Sequence, residues 1–221
     1  MEFKLSQTEE NYLKAIYSLG LHSGDNVSTN KIAERLKTKA SSVTDMIKKL
    51  SGKKLVDYKK YKGSKLTLEG RRIAMKIVRK HRLWEVFLMN KLNYKWDEVH
   101  DLAEQLEHIK SNTLIDKLDA FLEFPTHDPH GDPIPDKHGN IEQHKNLMLS
   151  SIEINNSCTV IGVKDSSKAF LKFLDNANIK LGSVLKVVSK ESFDNSIIIK
   201  LKETSTSISN QISKNLFVKK I

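Results

Sequence analysis

The chain has 221 residues, 38% of them hydrophobic and 29% charged, with a formal net charge of +10 and one cysteine. That composition supports two or three globular cores. It excludes an internal disulfide framework, and no apolar run approaches the roughly 18 residues of a membrane span.

The charge is unevenly spread. Residues 1–90 hold 20 Lys and Arg against 9 Asp and Glu, residues 91–145 hold 6 against 12, and residues 146–221 hold 11 against 6. A basic first segment is the footprint of a polyanion partner, whereas an acidic middle suits cations. Seven of the eight histidines fall between His81 and His144. The start "MEFKLSQTEENYL" lacks the basic and apolar segments of a secretory signal, so the expected location is cytoplasmic. Cys158 lies in an apolar stretch and reads as a small buried hydrophobe.

In chain order, "SQTEENYLKAIYSLGL" places Tyr12, Leu13, Ile16, Tyr17 and Leu19 on one stripe, predicting a helix capped near Ser6 and ending near Gly20. "VSTNKIAERLKTKASSVTDMIKKLSGKKLV" predicts two short helices broken at "KTKAS". The alternating runs "LVDYKKY" and "SKLTL" follow, joined at Lys62 and Gly63; together these form a helix-turn-helix with a wing. A long helix is predicted from about Thr67 to Leu92, then helices over "YKWDEVHDLAEQLEHI" and "SNTLIDKLDAFLEF". All four prolines crowd "PTHDPHGDPIPDKHGN", which predicts a loop. Beyond about residue 150, short alternating runs and one helix candidate, "SKAFLKFLDNA", predict a small antiparallel barrel.

In a helix-turn-helix the N-terminal edge of the second helix meets base edges while flanking groups meet phosphates. Lys39, Ser41, Ser42 and Thr44 occupy that edge here, and Lys48, Lys49, Lys53, Lys59, Lys60, Lys62 and Lys65 are expected to face the backbone. The competing reading is a solvated Lys-rich surface; the wing and the basic charge of the segment favour double-stranded DNA.

"HDLAEQLEHI" repeats His100, Glu104 and His108 every four residues, with Glu107 alongside. Residues three and four apart share a helix face, so potential metal ligands crowd one stripe. An isolated pair at this spacing is usually a surface salt bridge, but a second pair, His81 and Glu85, precedes it. Imidazole with carboxylates and no thiolate suits Mn(II) or Fe(II) better than structural zinc.

The segments "TEENYLKAIYSL", "IAERLKTKASSVTDMIKKLSGKKLVDYKKYKGSKLTLEG", "KHRLWEVFL", "WDEVHDLAEQLEHI" and "FPTHDPHGDPIP", in that order, resemble the diphtheria toxin repressor family of iron- and manganese-dependent transcription regulators. The resemblance covers residues 5–140 closely and extends more loosely into the barrel through "VIGVKD" and "NANIKLGSVLKVV". It implies a mainly α fold with a small β C-terminal domain. The expected parts are a winged helix-turn-helix over 1–72, a helical metal-binding and dimerisation domain over 73–140, a linker over 141–152, and an SH3-like, FeoA-like domain over 153–221.

The resemblance also implies two metal sites per subunit. Glu104, Glu107 and His108 match a regulatory site completed from the first helix at the position of Asn11, with Glu10 nearby. Lys14 stands where manganese-type members can carry a second carboxylate, which argues against a dinuclear version. His81, Glu85 and His100 match an ancillary site to which His130, Asp128 and Asp165 can contribute.

A cation held by both the first helix and the Glu104–His108 segment would tie the DNA-reading part to the acidic part. A homodimer would then present two recognition helices to successive major grooves. The expected interface is "LWEVFLMNKL" with the next two helices. The rival is a winged-helix regulator responding to a non-metal signal. A metallohydrolase is disfavoured because the chain has no HExxH helix, nucleophile motif or phosphate-cradling loop.

Overall fold

The computed structural model describes residues 4–23, 26–59, 62–141 and 147–221. They divide into two compact units: residues 1–81, 104–112 and 135–140, and residues 82–103, 113–134 and 141–221. No helix among the described residues is long and apolar enough to cross a membrane.

The first unit contains α1 (Gln7–Ser23), α2 (Thr29–Arg35), α3 (Ala40–Gly52) and a two-stranded antiparallel wing, β1 (Val56–Lys59) and β2 (Gly63–Leu66). The predicted apolar stripes become its core: Leu13, Ile16, Ile32, Val43, Ile47 and Leu50 are all buried. α1 runs through Gly20 to Ser23, longer than its sequence signal predicts. Ser28 caps α2 by accepting from the Lys31 amide. Between α2 and α3 the chain turns at Lys37, whose φ is 50°, and the Thr38 amide bonds the Ala33 carbonyl. This is the break read from "KTKAS".

The wing pairs Val56 with Leu66 and Lys59 with Gly63. Val27 adds a bridge to Ser64 through paired backbone bonds of 2.8 and 2.9 Å. Lys60, one of the expected phosphate contacts, lies outside the described residues.

A long helix, α4 (Leu68–Leu92), follows. Its first turn carries Gly70 because a Cβ there would stand 2.0 Å from the Leu55 carbonyl oxygen, and Thr67 Oγ1 accepts from the Gly70 amide. α5 (Val99–Leu106) ends earlier than the sequence pattern suggests. Glu107 and His108 lie in the turn after it, closed by a bond from the Ile109 amide to the Leu106 carbonyl. α6 spans Asn112–Phe121. The unit boundaries fall inside α4, after His81, and inside α5, after Ala103, so the helical stretch expected as one domain over 73–140 is shared between the two compact units.

The second unit ends in a six-stranded antiparallel sheet ordered β3-β8-β4-β5-β6-β7. Its strands are β3 (Leu147–Met148), β4 (Ser157–Val163), β5 (Val184–Lys190), β6 (Ile197–Leu201), β7 (Thr204–Ile208) and β8 (Leu216–Lys220), with α7 (Lys168–Asn176) after β4 and the one-turn α8 (Asn210–Ser213) before β8. Ser167 caps α7. Leu149, Ile152, Val160, Leu171, Leu185 and Val218 belong to its buried core. Bulges at Val160/Gly162 and Val187/Ser189 bend the central strands. The sheet begins inside the expected linker: Leu147 pairs with Val218, and Leu149 and Ile152 are fully or almost fully buried, so 147–152 is part of the β domain.

Candidate metal centres and the DNA-facing edge

The first candidate centre is built in the first unit from α1, His81 of α4, and the end of α5 with the turn after it. Glu107 is completely buried, and its Oε2 accepts from Lys14 Nζ at 2.6 Å and from His81 Nδ1 at 2.7 Å. Lys14 Nζ also donates to Glu104 Oε1 at 2.6 Å. The Lys14–His81 separation of 3.2 Å is a close approach and not a second hydrogen bond, because the Nδ1 proton is committed to Glu107. His108 Nδ1 donates to Glu10 Oε2 at 2.6 Å, which leaves the Nε2 lone pair as the atom that could ligate a cation. That Nε2 lies 4.0 Å from Glu107 Oε1.

Two atoms of the expected donor set, Asn11 Oδ1 and Glu107 Oε1, are buried with no hydrogen-bond partner among the described residues. Burying a carboxylate oxygen unpaired is costly, and a cation is one group that could satisfy it. The chemistry fits as well, since the donors are oxygen and imidazole without a thiolate. Glu10 holds one side of the His108 imidazole, an arrangement also found behind metal-binding histidines. Its position next to Asn11 and one helical turn before Lys14 is the only signal of this in the sequence.

The second candidate centre lies in the second unit. Glu85, Asp128 and His130 are all buried, and one ligand atom from each lies within 4.8 Å of the others. Glu85 comes from α4, and the other two come from the proline-rich loop. Asp128 Oδ1 accepts from the amides of His130, at 2.8 Å, and Asp132, at 3.0 Å, an Asx arrangement that shapes the loop. His130 Nε2 donates to the Trp96 carbonyl at 2.9 Å, turning Nδ1 toward Glu85 Oε2 at 3.7 Å. His100 Nδ1 stands 3.3 Å from Glu85 Oε1.

Burial, then the charges of Glu85 and Asp132, push the Asp128 carboxyl up to about 7 against the pull of Arg82 and His130. Burial would depress His130, but its ion pair with Glu85, the charge of Asp128 and the bond to the Trp96 carbonyl raise it to about 9. A crowded, buried set of like charges with one imidazole is a composition that a cation relieves. Arg82, whose Nε is 3.5 Å from Asp128 Oδ2, was not anticipated; it is the residue after His81 and carries no motif of its own.

Asp165 Oδ1 accepts from the Ser167 amide at 2.8 Å, and Asp165 does not join the Glu85–Asp128–His130 group. His81 belongs to the first unit and Glu85 and His100 to the second. His81 bonds Glu107 there, joining the centre for which the sequence reading named only Glu104, Glu107, His108 and Asn11.

At the DNA-facing edge, Lys39, Ser41 and Ser42 are exposed at the start of α3. Lys39 sits in extended conformation at the helix N-cap without a side-chain capping bond. Thr44 is half-buried and bonds back to the Ala40 carbonyl at 3.0 Å. Lys48 and Lys62 are exposed. Lys53 is not a backbone-facing group as expected: its Nζ bonds the buried Glu9 at 2.6 Å, with Lys49 at 3.4 Å from the same oxygen. Burial would raise the Glu9 carboxyl, but Lys53, the Ser6 amide and Lys49 bring it down to about 2.

Residues 4–64 match the family described as the iron dependent repressor N-terminal DNA binding domain, and residues 67–136 the iron dependent repressor metal binding and dimerisation domain; residues 147–220 match the FeoA domain. The iron-dependent repressor IdeR of Mycobacterium leprae (strain TN) is 34% identical over 59% of this chain and 56% of its own length. The diphtheria toxin repressor of Corynebacterium jeikeium (strain K411) is 33% identical over 59% and 54%. The chain thus spans about half the length of these curated relatives. An HTH-type transcriptional regulator of Methanocaldococcus jannaschii is 34% identical over 54% of this chain and 95% of its own length. Among solved structures, a manganese-dependent transcriptional repressor in complex with manganese superposes with a TM-score of 0.85 at 36% identity, covering 96% of this chain and 100% of that one. The manganese regulator SloR superposes with a TM-score of 0.76 at 33% identity, covering 96% and 98%.

Proposed function

The chain belongs to the iron-dependent repressor family, the family of the diphtheria toxin repressor, and from that premise we propose that it is a transcriptional repressor that grips operator DNA as a homodimer when loaded with Mn(II) or Fe(II). Its action is to control genes of metal-ion homeostasis; it is not an enzyme.

The observation that carries the metal dependence is that Glu107 Oε1 and Asn11 Oδ1 are both buried without a hydrogen-bond partner among the described residues, the former 4.0 Å from the imidazole of His108 that Glu10 aligns. Asn11, Glu107 and His108 would hold one ion, and Glu85, Asp128 and His130 a second, with His100 next to Glu85. A divalent cation bound there would supply positive charge that the buried carboxylates lack. Asn11 sits on α1, which packs against α2, α3 and β2. Residues that grip an ion from both α1 and the turn after α5 therefore fix how the recognition helix is carried. The winged helix then occupies the DNA-competent arrangement more of the time, as far as the ion's preference for that arrangement allows.

Dimerisation is supported by apolar side chains left on the surface of α4 and around α6. Much of the segment expected as the interface, including Leu83, Val86 and Leu88, is buried within the subunit, while Leu92, Leu114, Phe121 and Phe124 are exposed. Phe87 and Phe121 meet with ring centroids 6.3 Å apart and planes tilted by 55°, making one aromatic patch.

The test is selection from a random double-stranded DNA library, run with Mn(II) and with chelator. The expected result is an enriched two-fold-related sequence with Mn(II) only, lost in Glu107→Ala and His108→Ala. Equal enrichment in chelator would favour the rival, a winged-helix regulator indifferent to metal.

A further inference from the structure

We propose that the basic cavity of the β domain, between the turn after α7 and the β6–β7 hairpin, binds a small anion that carries two phosphoryl groups. The metal centres play no part in this inference.

Residues 146–221 hold 11 Lys and Arg against 6 Asp and Glu. Lys180, Lys186, Lys200 and Lys202 line one cavity of about 950 Å³, and none of the acidic side chains does. Lys186 on β5 stands directly opposite Lys200 on β6, in a cross-strand row that continues to Ser157 on β4 and Ser205 on β7. The Cβ atoms of such partners are about 5 Å apart, and like charges placed there destabilise a sheet. The row contains no carboxylate to relieve them. Glu203 Oε2 lies 3.2 Å from Lys200 Nζ, but Glu203 is 94% exposed, and a pair of that kind offsets little in water.

Lys202 adds backbone strain. It opens the two-residue turn between β6 and β7 with a φ of 54°, a left-handed conformation that Gly or Asn adopts with less strain. Lys180, in turn, is fixed by the fold. Its amide donates to Ser183 Oγ at 2.9 Å, and the Gly182 amide and Ser183 carbonyl bond Val160 of β4 at 2.8 and 2.9 Å. Among the described residues, Lys200 alone of the four lysines is ion-paired.

Facing like charges and a strained lysine bring the fold nothing, whereas an anion seated among them relieves the repulsion. A phosphoryl monoester carries about −1.5 to −2 at neutral pH, so two such groups match four ammonium groups, and a single carboxylate does not. Ammonium groups are compact point charges suited to phosphate oxygens. Thr204 and Thr206 reach the same cavity, with Val184 and Leu201 as apolar wall for an organic part. The concave setting favours a small molecule over duplex DNA, whose phosphates lie along a convex line.

The experiment titrates the full chain, dialysed free of divalent ions, with sodium pyrophosphate by calorimetry at physiological salt, and follows melting at low salt. Wild type is expected to bind one pyrophosphate per subunit. The double variant Lys186→Gln, Lys200→Gln should lose about tenfold in affinity and, without pyrophosphate, melt above wild type because the facing charges are gone. Lys202→Gly should bind several-fold more weakly with no loss of stability. Lys172→Gln, Lys219→Gln, an equal change of charge at exposed sites on the same domain, should bind as wild type does. The proposal is overturned if wild type binds no pyrophosphate, if the Lys172 and Lys219 variant loses as much affinity, or if the Lys186 and Lys200 variant melts below wild type. It falls equally if the latter keeps pyrophosphate and loses affinity for duplex DNA, which would make the cavity a DNA contact. Should that variant not fold, the affinity of Lys202→Gly decides.

Discussion

Glu9 shows how much a single residue decides at the base of the recognition helix. It is 2% exposed, and its carboxylate joins α1 to the C-cap of α3, Lys53, at 2.6 Å. Because its folded-state pKa lies near 2 against an ordinary value of 4.5, its contribution to stability is fully present above about pH 4.5 and is lost as pH falls toward 2. The shift corresponds to about 3 kcal/mol at most, and the partly exposed Lys53 reduces this to about 2 kcal/mol. Glu9→Gln is therefore expected to lower the urea midpoint clearly at pH 7 and hardly at all at pH 2, followed by circular dichroism. A deficit that does not shrink with acid would mean that the ion pair is not its cause. Residue-level legibility divides along the same line. Glu104, Glu107 and His108 were visible because their spacing is local. The Glu10–His108 bond joins residues 98 positions apart, and the Lys53–Glu9 bond joins two helices, so neither could be read from one segment.

At the scale of elements, apolar periodicity predicts α1 through α4 and the wing because each buries one face against the others. It overruns at α5: the stripe continues to His108, yet the helix stops at Leu106, with Glu107 and His108 bonded to Lys14, His81 and Glu10 in other segments. The two-residue β3 and one-turn α8 are too short for any periodicity to register. The proline loop was legible as a loop, but what anchors it was not. Gly131 has φ +85°, and a Cβ there would stand 2.2 Å from the Ile161 carbonyl oxygen on β4; next to it, the Val163 amide bonds the His130 carbonyl at 2.7 Å. Gly131→Ala must push the loop away from β4, carrying Asp128 and His130 with it. The expected outcome is loss of one bound Mn(II) per subunit with the far-ultraviolet dichroism retained. A variant that keeps its full metal count would show that the loop tolerates the displacement.

At the scale of the whole molecule, the basic first segment and the exposed aromatic patch make a joint demand. Sequence-independent attraction to DNA grows with the number of phosphates neutralised, the logarithm of affinity falling with that of salt by about 0.9 per contact. A monomer offers one set of contacts, from groups such as Lys39, Lys48 and Lys62, and a dimer offers two. Phe121 and Phe124 are 59% and 67% exposed, and Lys91 lies 5.1 Å over the Phe121 ring, so an apolar patch with a charged rim is available for a self-complementary two-fold contact. Replacing both phenylalanines by Asp leaves the buried core untouched and places charge where two copies would meet. Sedimentation should then report half the wild-type mass with Mn(II) present, while the metal count per subunit is unchanged. Binding to the selected operator should weaken, and its salt slope should fall to about half, because one recognition helix with its wing acts alone. If the mass halves but the slope does not, the dimer forms elsewhere on DNA, by assembly of two monomers on adjacent half-sites. If the mass is unchanged, the patch on α6 is not the dimer contact.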